Sequence, residues 1–240
     1  MKNLSVKLIA IVCFVQLLLV ACSDRCVYKD PSAPLDARVK DLVDRMTIDE
    51  KINQLFVFWG KEVASLIPEG AVGFDSLKTR QTLGDIGGGI IYDLYPINNV
   101  TMVNEIQKYA VEKTRLGIPL LFQEEALHGY QGEGGTVFPI PLGIASAWDT
   151  TLVSKMARVI GTECRAFGVH MALSPVLCLS NDPRWGRIGE TYGEDPFLSS
   201  TIGSLMVKGM QTDDLARNDA VACELKHFAV HGIPEAGSNW

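Results

Sequence analysis

The sequence predicts an α/β fold, a (β/α)8-type TIM barrel of which only the N-terminal part is present. Three observations carry that reading. Short apolar runs alternate with longer amphipathic segments, the pattern of parallel βα units. No Gly-x-Gly-x-x-Gly follows any of the short runs, which counts against a dinucleotide-binding sheet. The polar residues gather where the short runs end, at Glu125, in 181–196 and at Lys226-His227, and those are the ends at which such barrels carry their sites.

Taken in order, Leu35, Val39, Leu42, Val43 and Met46 form a helical stripe. Thr47-Ile48-Asp49-Glu50 has the spacing of a capping box, opening a helix through Ile52 and Leu55. An early strand follows in 56–59. Residues 60–84, with Pro68, Gly70 and Gly73, read as a loop with at most a short helix. Gly89 to Tyr92 is a strand, and Asn99 can cap a helix carrying Val103, Ile106, Tyr109 and Ala110 that stops at Gly117. The strand Ile118 to Phe122 exits on Gln123-Glu124-Glu125. Asp149 caps a helix with Leu152, Met156, Ile160 and Cys164 at successive fourth positions. Met171 to Leu177 is the next strand. Asp195-Pro196 opens a helix showing Leu198, Ile202, Leu205 and Met206, and Ala220 to Leu225 is a last strand. Four or five strands fall short of the eight of a complete barrel, and the sequence stops at Trp240 in mid-element, so a truncated chain is expected.

Composition bounds the function. With 47% hydrophobic and 21% charged residues, the 240-residue chain is of globular type. A net charge of -6 and a pI near 5.3 leave no basic patch to displace counterions, so nucleic acid is not expected as a partner. Lys2 and Lys7 precede an apolar run, Leu8 to Ala21, too short for a comfortable span but suited to an export signal. Leu19-Val20-Ala21-Cys22 resembles a bacterial lipobox. Residues 1–22 are therefore expected to be a lipoprotein signal ending at a lipidated Cys22, and 23–35 a tether to a domain over 36–240. An ordinary cleaved signal or a membrane anchor is the alternative. The expected location is exported and lipid-anchored to a bacterial membrane, on its periplasmic or cell-surface side. Cys26, Cys164, Cys178 and Cys223 are scattered and form no CxxC pair, so free, mostly buried thiols are expected.

The segment 181–196 holds two arginines, four carboxylates, three glycines and two aromatics without a sustained period. Its charges must pair with one another or with a ligand. Glu125, Arg187, Lys226 and His227 would offer acceptors and fixed donors in one mouth, the mixture that sugar hydroxyls demand. From the residues alone, a salt-bridge network stiffening the rim is an equal reading. His227 and His231 stand four apart, but no helical His-Glu-x-x-His exists and Gly232 and Pro234 follow, so neither metal nor cofactor is expected. His128 and His170 read as satisfied histidines near strand ends. No Gly-x-Ser-x-Gly elbow is present.

Arg115 to Gly129, Thr136-Val137-Phe138-Pro139, the loop Asp182 to Pro196 and Lys226-His227-Phe228 together resemble glycoside hydrolase family 3, in the order and spacing of its N-terminal barrel domain over 36–240. The resemblance implies an exo-acting retaining β-glycosidase that hydrolyses terminal non-reducing β-D-glucosyl or β-D-xylosyl residues through two carboxylates. Its substrates would be oligosaccharides or aryl and alkyl β-glycosides. In the family the nucleophile lies on a later barrel strand and the acid/base usually in a following domain, both expected beyond residue 240, so the chain alone would be inactive. The matching residues are those of the sugar-holding subsite: Glu125, where many relatives have aspartate, with Arg187, Lys226 and His227. Arg184, Glu190, Glu194 and Asp195 would hold the loop in shape, and Trp185 would pack in the core or rim.

Two departures bear on substrate. Ala229-Val230-His231-Gly232 replaces the Pro-Gly-x-Gly of the hexosaminidase branch, which disfavours an N-acetylhexosaminidase. Ser238 stands where relatives often have an arginine. The rival from another class is a non-catalytic sugar-binding lipoprotein derived from the same barrel.

Overall fold

A computed structural model describes residues 26–66, 72–94, 100–229 and 231–232. The chain divides into two compact units, Met1–Lys51 and Ile52–Trp240. In the first, a 3-10 turn at Val27–Lys29 precedes helix α1, Leu35–Arg45. The Tyr28 amide donates to Asp41 Oδ2 at 3.0 Å and Arg38 Nε donates to the Tyr28 carbonyl at 3.1 Å. Part of the stretch expected as a tether is thus folded onto α1. Thr47 and Glu50 form the expected capping box at the start of α2, Ile48–Asn53: the Glu50 amide donates to Thr47 Oγ1 at 3.2 Å, and the Thr47 amide to Glu50 Oε2 at 2.8 Å. The apolar run 8–21 and Cys22 lie outside the described residues. Among those described, no helix is long and apolar enough to cross a membrane.

The second unit is built on parallel strands β1 (Val57–Trp59), β4 (Ile90–Tyr92), β5 (Leu121–Glu124), β6 (Met171–Ala172) and β7 (Ala222–Cys223), which lie side by side in chain order. One register row, Trp59, Tyr92, Gln123, Met171 and Ala222, crosses all five. The connections carry α3 (Ser76–Leu83), α4 (Val100–Lys113), α5 (Pro141–Ala145), α6 (Thr150–Ala166) and α7 (Pro196–Gln211). Parallel strands in chain order joined by helices are the succession that a barrel requires.

Between β1 and β4 the structure departs from the sequence reading. A hairpin of β2 (Ala64–Leu66) and β3 (Val72–Phe74) stands where a loop was expected, followed by α3, whose N-cap Asp75 accepts from the Leu77 and Lys78 amides at 3.1 and 3.0 Å. Strands of three residues are too short to show a period. β5 also begins later than the expected Ile118. Pro119 has no amide to give a ladder, and Leu120 spends both its backbone groups on the Gln107 side chain, at 2.7 and 2.9 Å. The run from Met171 narrows to β6 plus one bridge, Val176 to Lys226, because Pro175 interrupts the donors. The proposed cap Asn99 lies outside the described residues.

The helices hold the sheet through one face each. Met156, Ile160 and Cys164 of α6 and Ile202, Met206 and Met210 of α7 are buried together, the isoleucines and methionines each contributing about 1.5–3 kcal/mol. Leu152, read as part of that stripe, is exposed at the first turn. The two helices approach closely because small residues meet: a Cβ on Gly209 would lie 2.4 Å from the Ala157 Cβ. Asp149 and Asp195 cap α6 and α7 as expected, accepting from Leu152 and Leu198 amides at 2.9 and 2.6 Å. Cys164 and Cys178 are buried free thiols, while Cys26 and Cys223 are partly exposed.

Candidate functional site

Glu125 is the first residue past β5, and Lys226 is the third residue past β7. The ladder beyond β6 sets the height of Lys226: its amide donates to the Pro175 carbonyl at 3.2 Å, and its carbonyl accepts from Leu177 at 2.8 Å. So placed, Lys226 Nζ donates to both oxygens of Glu125, at 2.7 and 2.8 Å, with side chains only 11% and 19% exposed. Beside Glu125, Glu124 is buried and accepts from the Leu94 amide at 2.7 Å. Its neighbour thus fastens a loop while Glu125 faces the site.

The turns after Glu125 form one piece with the Thr136-to-Pro139 motif. The Phe138 amide donates to the His128 carbonyl at 2.8 Å, and His128 Nδ1 lies 3.1 Å from the Phe138 carbonyl oxygen. Gly129 has φ +128, and a Cβ there would lie 2.1 Å from the Thr136 oxygen, so only glycine fits.

The charged loop supplies Arg187. A 3-10 turn at Ile188–Glu190 brings Glu190 over Arg187, since side chains three apart eclipse in that geometry. Arg187 Nε and Nη2 donate to the two oxygens of Glu190, each at 2.7 Å. Arg187 Nη1 lies 3.4 Å from His231 Nε2. Burial alone would raise the Glu190 carboxyl, but the Arg187 hydrogen bond and charge, with Lys226 and His227 nearby, hold it below the usual carboxylate range. Asp182 and Arg184 form a second fork, at 2.9 and 2.7 Å, with Arg184 largely exposed.

His227 lies on the other side of Lys226. Its Nδ1 is 3.3 Å from Cys178 Sγ, and its ring meets that of His231 edge-on at 4.3 Å. Burial, then the charges of Arg187, His231 and Lys226, push its pKa down to about 4, so the ring is neutral at pH 7. Trp185 is 1% exposed, packed with Leu127, Val176 and Cys178, and is a core residue. His170 likewise accepts from the Phe122 amide at 3.1 Å, its pKa lowered to about 4 by burial and Arg165.

Two cavities open on these groups. One of about 450 Å³ is lined by Tyr92, Glu125, His128, Gln131, Arg187 and Glu190. The other, about 320 Å³, is lined by Cys178, Lys226, His227 and His231 among others. Both fall in the size range of small-ligand sites. The structure therefore brings Glu125 and Arg187 to one cleft, joins Lys226 to it through Glu125, and turns His227 toward the adjacent cavity. Among the described residues, no three His, Cys, Asp or Glu side chains are grouped to hold a metal ion. Tyr92, Cys178 and His231 line these cavities without any mark of that role in the sequence, and Glu190, expected only to hold the loop in shape, lines the cleft as well. The three-residue spacing from Arg187 to Glu190 was the available signal, legible only once a 3-10 turn is assumed.

The family model described as the glycosyl hydrolase family 3 N-terminal domain matches residues 47–240. The chain is 37% identical over 209 residues to a periplasmic β-glucosidase of Salmonella typhimurium, covering 85% of this chain and 25% of that protein. It is 33% identical to a putative β-xylosidase of Formosa agariphila, covering 89% of this chain and 29% of that one. The crystal structure of a mutant β-glucosidase from Listeria innocua in complex with laminaribiose superposes with a TM-score of 0.72 at 37% identity, over 85% of this chain and 28% of that chain. The structure of that enzyme in complex with glucose superposes with a TM-score of 0.71 at 35% identity, with the same coverage. The chain spans roughly a quarter of the length of these relatives, and its parallel sheet is part of the family's N-terminal barrel.

Proposed function

Because the chain belongs to glycosyl hydrolase family 3, we propose that it supplies the sugar-holding part of an exo-acting retaining β-glycosidase. The substrates in this reading are oligosaccharides or simple β-glycosides with a terminal non-reducing β-D-glucosyl residue, or alternatively a β-D-xylosyl residue. The observation that carries it is the joining of two cation–carboxylate pairs, Lys226 with Glu125 and Arg187 with Glu190, around a cleft at the C-terminal ends of the strands. The names of the relatives, β-glucosidases and a β-xylosidase, support the substrate class, as do the laminaribiose and glucose bound by the Listeria enzyme.

The residues divide the work by their chemistry. Lys226 and Arg187 donate to ring hydroxyls and Glu125 accepts from them, charge-assisted bonds being the stronger kind. His227, neutral at pH 7, gives a further donor or acceptor without adding charge. Bonds to hydroxyls that tighten as the ring flattens contribute to rate as well as binding. No residue of this chain is assigned as nucleophile or acid/base, and in this reading both come from protein beyond residue 240. Export, with lipidation at Cys22, belongs to the same proposal; the periplasmic names of two relatives support the export, and the lipidation rests on the sequence Leu19-Val20-Ala21-Cys22.

The test is turnover of aryl β-D-glucoside and aryl β-D-xyloside by this chain and by a longer protein containing it. Turnover by the longer protein alone is the expected result, and the ratio of the two rates assigns the sugar. Turnover by the 240-residue chain would overturn the division of labour. Glucose binding without turnover by either would favour a sugar-binding lipoprotein.

A further inference from the structure

The charged loop contains two arginine–carboxylate forks of similar geometry and different surroundings. Arg184 is two-thirds exposed, and its fork with Asp182 takes no part in lining the cleft. Arg187 and Glu190 are each about one-third exposed, and both line the cleft with Glu125. The loop itself needs neither fork to keep its course. Backbone bonds close it at Trp185 to Asp182, Ile188 to Trp185, Glu190 to Arg187 and Thr191 to Ile188, between 3.0 and 3.2 Å. Thr191 Oγ1 ties it to Ser180 Oγ at 2.9 Å, and the Ser180 amide donates to the Gly193 carbonyl at 3.2 Å. The Glu190 carboxylate is therefore left over from the work of shaping the loop.

We propose that Glu190 is a positioning residue of the sugar subsite: it fixes the guanidinium plane of Arg187 and so aims the groups that Arg187 leaves unbonded. This rests on the sugar-binding reading above. An arginine side chain has four rotatable bonds, and a single acceptor leaves its plane free to turn. Acceptors on both Nε and Nη2 at 2.7 Å fix the plane and the edge together. The edge that remains carries Nη1, 3.4 Å from His231 Nε2, so Arg187 lines one cavity and reaches the histidine that lines the other. A hydroxyl-bearing ligand then meets a donor already oriented, with less freedom to lose on binding. Glu190 also leaves the Arg187 pair neutral, as Glu125 does for Lys226, so a neutral sugar meets two compensated pairs.

The experiment uses the 240-residue chain with Glu190→Gln, Glu190→Asp and Arg187→Ala, singly and with Glu190→Gln and Arg187→Ala combined. Two readouts are followed: hydrogen exchange at the Arg187 Nε–H by nitrogen-15 NMR, and glucose affinity by titration, with melting curves to confirm folding. The expected result is slow Nε–H exchange in the wild type that quickens about tenfold or more in Glu190→Gln. Glucose affinity should fall roughly tenfold in the same variant, with Glu190→Asp between the two. In the Arg187→Ala background the Glu190→Gln change should cost less than about twofold, since nothing is left to position. Unchanged exchange in Glu190→Gln would overturn the proposal. So would an undiminished loss of affinity in the Arg187→Ala background, which a loop-shaping role requires. Should wild-type chain fail to bind glucose, the sugar reading fails by itself, and the exchange rates still decide whether Glu190 fixes Arg187.

Discussion

Lys226 Nζ is held between the two carboxylate oxygens of Glu125, at 2.7 and 2.8 Å, across 101 positions of sequence. Both side chains are mostly buried, so each is the other's compensation for lost hydration. Glu125→Ala should then be costlier than a surface pair would be, by about 3 kcal/mol, because an unpaired ammonium is left behind. Glu125→Gln, which keeps an acceptor, should cost less. Urea denaturation of the two variants measures this, and equal stabilities would show that the pair is solvated in solution.

Two histidines make a pH prediction with a definite sign. His227 and His170 both titrate near 4 in the folded chain against about 6.5 when unfolded. Between those values the unfolded chain binds more protons, so stability is complete above about pH 6.5 and is lost as pH falls toward 4. Glu190, held low, adds a loss of the same sign at more acid pH. Melting temperature followed from pH 7 to pH 4 should fall. The fall should be shallower in His170→Asn, whose side-chain oxygen can still accept from the Phe122 amide. An identical slope in that variant would count against the depressed value.

How much of this was legible in the sequence follows from element length. α6 and α7 run for 17 and 16 residues, long enough for Met156, Ile160 and Cys164, or Ile202 and Met206, to declare a period, and their aspartate caps add a second signal. β2, β3, β6 and β7 have two or three residues each, which no periodicity can show. The site was legible to the same degree. Glu125 and Lys226 stood out as polar residues at strand ends, but their pairing is a product of the β5–β6 and β6–β7 registers together. Glu190 was visible as a charge in a loop, and its direction toward Arg187 depends on a turn type that the residues Ile188-Gly189-Glu190 do not declare.

Gly129 offers a test of how rigidly the cleft is built. With φ +128 and the Thr136 oxygen where a Cβ would go, Gly129→Ala must move backbone rather than a side chain. The expected cost is about 1–3 kcal/mol from strain of this kind. The displacement should also spread to His128 and Gln131, which line the cleft. Denaturant unfolding measures the first effect. Glucose titration of the folded variant measures the second, and unaltered affinity would show that these turns do not shape the cleft.

Trp185 separates a core role from a sugar platform. An exposed indole in a charged loop would be the usual platform for a sugar face, but this one is 1% exposed, with the His231 ring edge-on at 5.4 Å. Its Nε1 has no hydrogen-bond partner among the described residues, so the indole is held by packing alone. Trp185→Ala should therefore cost about 3–5 kcal/mol, the range for emptying an aromatic site in a core. Trp185→Phe removes no satisfied hydrogen bond and should cost less than that, leaving glucose affinity within about twofold of the wild type. Calorimetric titration with glucose makes the comparison. A tenfold loss in the phenylalanine variant, with little change in melting temperature, would place the indole against the ligand and move the sugar to the other side of the loop.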